Sequence, residues 1–382
     1  MKKIAVNIAR IILAVTLILS GFVKAVDPLG TQYKINDYLE ALQWGVLPDW
    51  TTLMASVLLS AAEFCLGIFL LFAIQRRLTS RCILLMMVLM TPLTLWLAVA
   101  NPISDCGCFG DAVVLTNWQT FWKNVVLLGF AVLVALWPKN MFRFVSQSNQ
   151  WIVINYSVLF ILGIAGWSLY YLPTFDFRPY HVGTDLRQQW QRTMEGEDLP
   201  YADFFIESLD GNGDITEQVL ADSGYVFLLV SPYLEQADDS RLDLINELYE
   251  YACEHDYPFY CLTSSSAQSM NRWRDMTGAE YPFCQTDGIV LKTVIRSNPG
   301  VVLLKDGVII RKWSHNDLPA IKETETALPL QELDFGRLPD NSVPRRIAML
   351  LMWFVLPLTL LTLADRLWMW TKWVRRKTSD KS

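Results

Sequence analysis

Nothing constrains this chain more than its long apolar stretches, because a run of roughly 20 such residues is what a helix needs to cross a bilayer. Six qualify: Ile4–Val26, Thr51–Ile74, Cys82–Ala100, Trp118–Trp137, Trp151–Leu172 and Ile347–Trp370. The chain is 52% hydrophobic but only 18% charged, below the ~25% of a soluble domain. The shortage is local: the six stretches hold it, and residues 173–345 are ordinarily polar. That pattern excludes an all-soluble enzyme, a disordered chain and a small disulfide scaffold. A polar block of this size also argues against a pure transporter. With a net charge of -6 and no basic stripe outside the membrane flanks, no nucleic-acid partner is expected.

The first stretch has the basic start of a signal peptide, Lys2 and Lys3. Lys24 stands where a small-residue cleavage site belongs, and Asp27-Pro28 follows, so an uncleaved helix is expected. Orientation follows from lysine and arginine placement. Lys2 and Lys3, Arg76, Arg77 and Arg81, Lys139 and Arg143, and the tail Lys372, Arg375, Arg376 and Lys377 all fall on one face if six spans are crossed. Arg345 and Arg346 disagree, but a long translocated domain overrides its own charges. The expectation is a bacterial inner-membrane protein with both termini cytoplasmic and a periplasmic polar block.

Within that block Tyr225–Val230 is a continuous apolar run suited to a buried parallel strand. A helical pattern through Leu242, Ile245, Leu248 and Tyr249 follows, then a strand at Pro258–Thr263 and a helix near Ser266–Thr277. After a helical stretch at Ile289–Ile295, Gly300–Lys305 and Val308–Trp313 form a hairpin across Asp306-Gly307, a strong turn signal. This order resembles the thioredoxin fold, with Asn298-Pro299-Gly300 at the place of that family's cis-proline. The resemblance implies substrate-binding roles for Pro299 and for Cys284 beside it. A thioredoxin places Cys-x-x-Cys after its first long strand, where the helix N-terminus stabilises a thiolate. Here Ser231-Pro-Tyr-Leu-Glu235 stands there, so no dithiol chemistry is expected of this domain. Cys253 in a helix and Cys261 in a strand read as buried small hydrophobes. Asp210-Gly-Asn-Gly-Asp214 opens like a calcium loop, but Ile215 and Ala221 replace the required glycine and glutamate, so a β-turn is expected. His181, His255 and His315 have no ligand spacing, and neither a metal site nor a catalytic triad is drawn from them.

The densest chemical signal is Asp105-Cys-Gly-Cys-Phe-Gly-Asp111, between the third and fourth spans. Thiols at i and i+2 can be bridged, Gly107 allows the bend, and a small strained ring is of the labile, redox-active kind. Three readings of Cys106 and Cys108 stay open: a redox-active disulfide, a loop staple, or metal binding, for which two thiolates without histidine fall short. Asp105 and Asp111 are expected to hinder thiol activation by like charge. Glu63, an ionisable group inside a span, is a functional candidate by default. It is either half of an ion pair with Arg10 or Lys24, or a proton relay or quinone-site hydrogen bonder. Cys65 and Cys82 read as packing residues.

Arg10, Ser20-Gly21-x-x-Lys24-x-x-Asp27-Pro28, Glu63-x-x-x-Gly67 and the Cys-Gly-Cys-Phe-Gly motif together resemble the MauE/DoxX-like membrane family over about residues 1–140. The resemblance implies a helix bundle related in layout to quinone-linked thiol oxidoreductases, and a role in maturation or redox of periplasmic proteins. The two additional spans and the polar domain depart from the family and make a dedicated methylamine role doubtful. The expected organisation is a four-helix membrane bundle (1–140), a fifth span (141–172), a linker (173–199) and a thioredoxin-like periplasmic domain (200–325). A second linker (326–345) and a sixth span with a basic tail (346–382) follow. The fold class is thus a polytopic α-helical membrane bundle plus an α/β domain lacking Cys-x-x-Cys. The leading function is thiol–disulfide exchange by Cys106 and Cys108 toward a membrane quinone, without metal, in the lipid bilayer, on a periplasmic protein substrate. The rival is a non-enzymatic scaffold whose outer domain binds a partner.

Overall fold

The computed structural model describes residues 2–45, 47–103, 105–196, 204–209, 211, 213–322, 324–339 and 343–379, without the side chains of 343 and 372–379. In chain order the first part comprises α1 (Lys2–Val26), α2 (Pro28–Ala41), α3 (Asp49–Phe72), α4 (Arg76–Ala100), α5 (Asn117–Leu136) and α6 (Gln150–Tyr170). An α/β region follows: α7 (Leu186–Met194), β1 (Glu207–Ser208), β2 (Gly213–Asp214), α8 (Thr216–Ala221), β3 (Tyr225–Val230) and α9 (Leu242–Glu254). It continues through β4 (Phe259–Thr263), α10 (Ala267–Thr277), β5 (Phe283–Gln285), α11 (Gly288–Val294), β6 (Gly300–Lys305) and β7 (Val308–Ser314), before the long α12 (Val343–Ser379). Two compact units result, residues 1–168 with 342–382, and residues 169–341.

Six helices among the described residues are long and apolar enough to cross a membrane, each overlapping one of the six stretches read from the sequence. In lipid the helix satisfies every backbone polar group internally, so association of spans depends on close packing and a few polar contacts. The first helix is integral to the bundle: Val6, Ala9, Leu13, Ala14 and Leu17 are buried in it. Glycines set how closely α1 meets α3. A Cβ on Gly21 would lie 2.3 Å from the Phe64 nitrogen, and one on Gly67 would lie 2.8 Å from the Ile18 nitrogen. At α12, Asp365 accepts hydrogen bonds of 2.7 Å from the Ser146 amide, the Ser146 hydroxyl and Asn149 Nδ2. That carboxylate joins the last span to the α5–α6 connection.

Between the first two apolar stretches lies the additional helix α2. Asp27 caps it by accepting from the Gly30 amide at 2.9 Å, and Pro28 occupies its first turn, where a missing N–H costs nothing. The capping signal was present in the sequence, but α2 is not apolar and so escapes a search for spans.

The α/β unit is a seven-stranded mixed sheet in the order β2-β1-β5-β4-β3-β6-β7. Strands β3, β4 and β5 run parallel, and β6 and β7 are antiparallel additions on the other side of β3. All six residues of β3 are buried, because strand alternation sends them to two cores. Phe227 and Leu229 meet Ile245, Leu248 and Trp273 on one face, while Leu228 and Val230 meet Leu291 and Val294 on the other. The β6–β7 turn places Asp306 and Gly307 both at positive φ, 52° and 74°, as a two-residue hairpin with matching twist requires. The stretch 173–199, read as a linker, supplies Tyr180 and Leu186 to one core. The stretch 326–345 likewise supplies Leu330 and Leu333 to the other core. Strand β5 escaped sequence analysis because three residues are too few for periodicity to register.

Replacing Gly21 with alanine drives a methyl into the α3 backbone, an overpacking cost of about 1–3 kcal/mol. Gly163→Ala in α6, where nothing lies within 4 Å of the new Cβ, should be neutral or slightly stabilising. Thermal unfolding of the detergent-solubilised chain checks both, and equal midpoints would contradict the close approach.

Candidate functional site

The Cys106–Cys108 loop is held against helix ends by side chains from three directions. Lys34 of α2 pairs with Asp105 at 2.9 Å, and the other oxygen of Asp105 accepts from the Gly107 amide at 2.8 Å. Tyr38 of α2 donates to the Cys106 carbonyl at 2.9 Å. The Ser20 hydroxyl of α1 lies 2.7 Å from the Cys108 carbonyl and 2.7 Å from Glu63 Oε2, alternative acceptors for its single hydrogen. Gly107 turns the chain at φ +63°, a conformation costly to a residue with a Cβ. This bend brings the two sulfurs to 2.8 Å. No disulfide joins them, and their separation is roughly 0.8 Å longer than a disulfide bond.

Glu63 makes an ion pair with Lys24, whose Nζ lies 2.7 Å from each carboxylate oxygen. Both residues are almost fully buried, and Lys24 also donates to the Ser20 oxygen at 3.2 Å. Of the two partners considered for Glu63, the structure selects Lys24. Arg10 instead donates to the Phe142 carbonyl and stacks 5.4 Å from the Phe144 ring. A chain of polar groups therefore runs from Lys24 and Glu63 through Ser20 to the Cys108 backbone.

These groups line a cavity of about 310 Å³ in the membrane unit. Its other walls are apolar, with Leu17, Leu59, Leu93, Met86, Met87 and Met90 among them, and Lys123 and Asn124 reach it from α5. Lys123 lies 4.4 Å from the Phe109 ring centre. The hydrogen bond from Cys106 draws the Cys108 thiol down to about 6, with Lys123 and Lys24 acting in the same direction against burial. The same bond and burial push Cys106 up. Burial and the neighbouring Cys106 raise Tyr38 as well. The aspartates expected to hinder activation do not decide the matter, since Asp105 is neutralised by Lys34 and the cations face Cys108. Lys123 was missed as a site residue, although the rule that singled out Glu63, an ionisable group inside a span, applies equally to it. Tyr38 carried no sequence signal.

In the α/β unit the candidate residues are spread apart. The Asn298–Pro299 bond is cis, and Ser231 donates to Asn298 Oδ1 at 2.7 Å. Cys284 is in β5, paired to Leu262 of β4, so β4 and β3 intervene between it and Gly300. It is buried, as is Cys261, whose thiol burial pushes up. The structure does not bring Cys284 beside Pro299. Cys253, expected to be buried, is exposed, because its helix turns that face to solvent. The histidines remain apart, but His315 Nδ1 lies 3.0 Å from Ser297 Oγ and Nε2 lies 3.7 Å from Asp238. The latter distance is too long for a hydrogen bond. In the calcium-like loop Asp210 and Asn212 lie outside the described residues, while Asp214 accepts from the Thr216 amide at 2.8 Å. Among the described residues no group of three or more His, Cys, Asp or Glu is arranged to hold a metal ion.

Two predictions test this geometry. Lys24→Met strands a buried carboxylate and should cost about 3–5 kcal/mol, whereas Lys24→Met/Glu63→Leu should recover most of it; unfolding midpoints of the three proteins decide. The alkylation rate at Cys108 should rise with pH through a midpoint near 6, because the thiolate is the nucleophile. In Cys106→Ala that midpoint should move up by about a unit or more as the stabilising hydrogen bond is lost. A midpoint unmoved by the substitution would contradict the assigned donor.

Residues 2–138 match the family model described as methylamine utilisation protein MauE. No curated protein and no solved structure matches the chain significantly.

Proposed function

With a MauE-like membrane bundle as the premise, we propose that the protein is a thiol–disulfide oxidoreductase of the bacterial inner membrane. The observation that carries this reading is two cysteine sulfurs 2.8 Å apart on the wall of a cavity lined by Leu and Met side chains together with Lys24, Glu63, Lys123 and Asn124. Oxidation forms one Sγ–Sγ bond and releases two protons and two electrons. A quinone held against Leu59, Leu93, Met86 and Met90 would supply the two-electron, two-proton acceptor this oxidation needs. Cys108 is the sulfur that carries the thiolate, with Lys123 and Lys24 offsetting its charge. Ser20, Lys24 and Glu63 hold the Cys108 backbone and offer a proton path at the cavity wall. The resulting disulfide then exchanges with a dithiol of a periplasmic protein, which leaves that protein oxidised and the loop reduced.

The staple role is the weaker reading of the pair. Lys34, Tyr38 and Ser20 already hold the loop to the bundle without a covalent bond. The positive charges at Arg77, Arg81, Lys139 and Arg143 support cytoplasmic termini and a periplasmic α/β unit. Strand order around β3, the cis Asn298–Pro299 bond and the Ser231–Asn298 contact support a thioredoxin-like domain that binds a partner without reacting. The family description names methylamine utilisation; the α/β unit and two further spans favour a wider set of envelope substrates. A second reading, a scaffold that only recruits a partner, is favoured by the absence of a dithiol at Ser231–Glu235.

Thiol trapping in intact cells separates the two. The Cys106–Cys108 pair should shift toward the reduced form when respiration is blocked, and Cys284→Ser should leave that shift unchanged. A pair fully oxidised under every condition, with Cys106→Ser and Cys108→Ser variants still active, overturns the redox reading.

A further inference from the structure

A further cavity in the membrane unit lies between the start of α4 and the end of α5 and has a volume of about 400 Å³. Arg77, Arg81 and Lys139 line it together with Leu136, Trp137 and Asn140, and no carboxylate does. Arg77 and Arg81 are one helical turn apart, so they project from one face of α4. Among the described residues none of the three cations has a hydrogen bond or an ion pair to protein. Three nearby carbonyls are served by other side chains: Arg76 donates to those of Lys139 and Met141 at 3.0 and 2.8 Å, and Asn7 donates to that of Asn140 at 3.1 Å. Three cations thus converge on one polar space whose lining holds no acidic partner.

Trp137 and Leu136 flank the same space and are 40% and 63% exposed. Tryptophan at the end of a span is the residue type that settles at headgroup depth. Arginine presents a planar fork that matches phosphate oxygens, and lysine adds a point charge. Basic pockets between membrane helices are suited to lipid phosphates.

We propose that this cleft binds the phosphate group of an anionic phospholipid, with Arg77, Arg81 and Lys139 around the headgroup and Leu136 and Trp137 along the acyl chain. The apolar flank favours a lipid over a free phosphate ion, whose hydration an exposed tryptophan and leucine cannot replace. The site is separate from the thiol cavity in its lining residues, so this inference stands or falls independently of the proposed redox activity.

The test uses the full chain, purified in mild detergent and titrated with phosphatidylglycerol or phosphatidylcholine while bound lipid is counted by native mass spectrometry. Each phosphate-facing cation contributes about fivefold in affinity near a membrane surface. Arg77→Gln/Arg81→Gln should therefore weaken phosphatidylglycerol binding by about tenfold or more, with phosphatidylcholine unaffected. Arg375→Gln/Arg376→Gln removes the same charge from the tail and should change binding less than twofold. Equal losses from both pairs, or none from either, would overturn the site. Should the double variant not fold, Lys139→Gln gives the same readout from outside the helices. Inorganic phosphate is the remaining arm: if it binds with the same dependence on Arg77 and Arg81 while phosphatidylglycerol does not, the lipid assignment is wrong.

Discussion

The arrangement around the two cysteines depends on α1 and α3 touching backbone to backbone. Apolar side chains cannot supply the force for this in a bilayer, where lipid tails are as apolar as leucine. What permits it is the absence of a Cβ at Gly21 and Gly67. The closeness has a chemical result. Ser20 and Lys24 flank Gly21 on α1, and Glu63 precedes Phe64 on α3, so the same contact that packs the helices sets the ion pair at 2.7 Å. A buried ion pair repays its desolvation only with such geometry and with its remaining hydrogen-bonding capacity filled. Ser20 fills part of it.

The pair in turn shapes the environment of the loop. Lys24 acts on Cys108 in concert with Lys123, while Glu63 and burial oppose them. An ion pair alone would leave a neutral wall, and an unpaired lysine would be costly to bury. The arrangement keeps a cation near the sulfur while attraction to the Glu63 carboxylate offsets the cost of burying it. Asymmetry between the thiols follows, because Cys106 can serve as donor only if Cys108 accepts.

The membrane architecture was legible in the sequence because hydropathy over twenty residues is a strong and redundant signal. Every span came from it, whereas the motif at 105–111 came from the spacing of two cysteines. The α/β elements around Tyr225–Val230 and the Asp306-Gly307 hairpin were legible for the same reason: a long buried run and an obligatory turn leave few alternatives. Shorter or contact-defined features were not. Strand β5 and the packing of Tyr180 and Leu330 depend on tertiary partners that periodicity does not encode. Tyr38 acquires its role only because α2 folds over the loop, and the choice of Lys24 over Arg10 needed the crossing of two helices. Lys123 and Asp365 differ from these, since each is an ionisable residue inside a span and could have been found by the rule that found Glu63.

The division of chemistry between the two units follows from where thiols are free to react. In the α/β unit Cys261 and Cys284 are enclosed by sheet and helices, and a thiol buried among apolar groups is inert. At the end of β3, where a reactive pair would be supported by the following turn, Ser231 is committed to Asn298 and Glu235 to Ser265. That end of the sheet is a hydrogen-bonded surface with no electron to give. In the membrane unit the thiols are only partly enclosed, lie beside cations, and already approach each other. The two closely placed sulfurs beside cations thus belong to the bundle, whereas that end of the α/β sheet offers fixed polar groups.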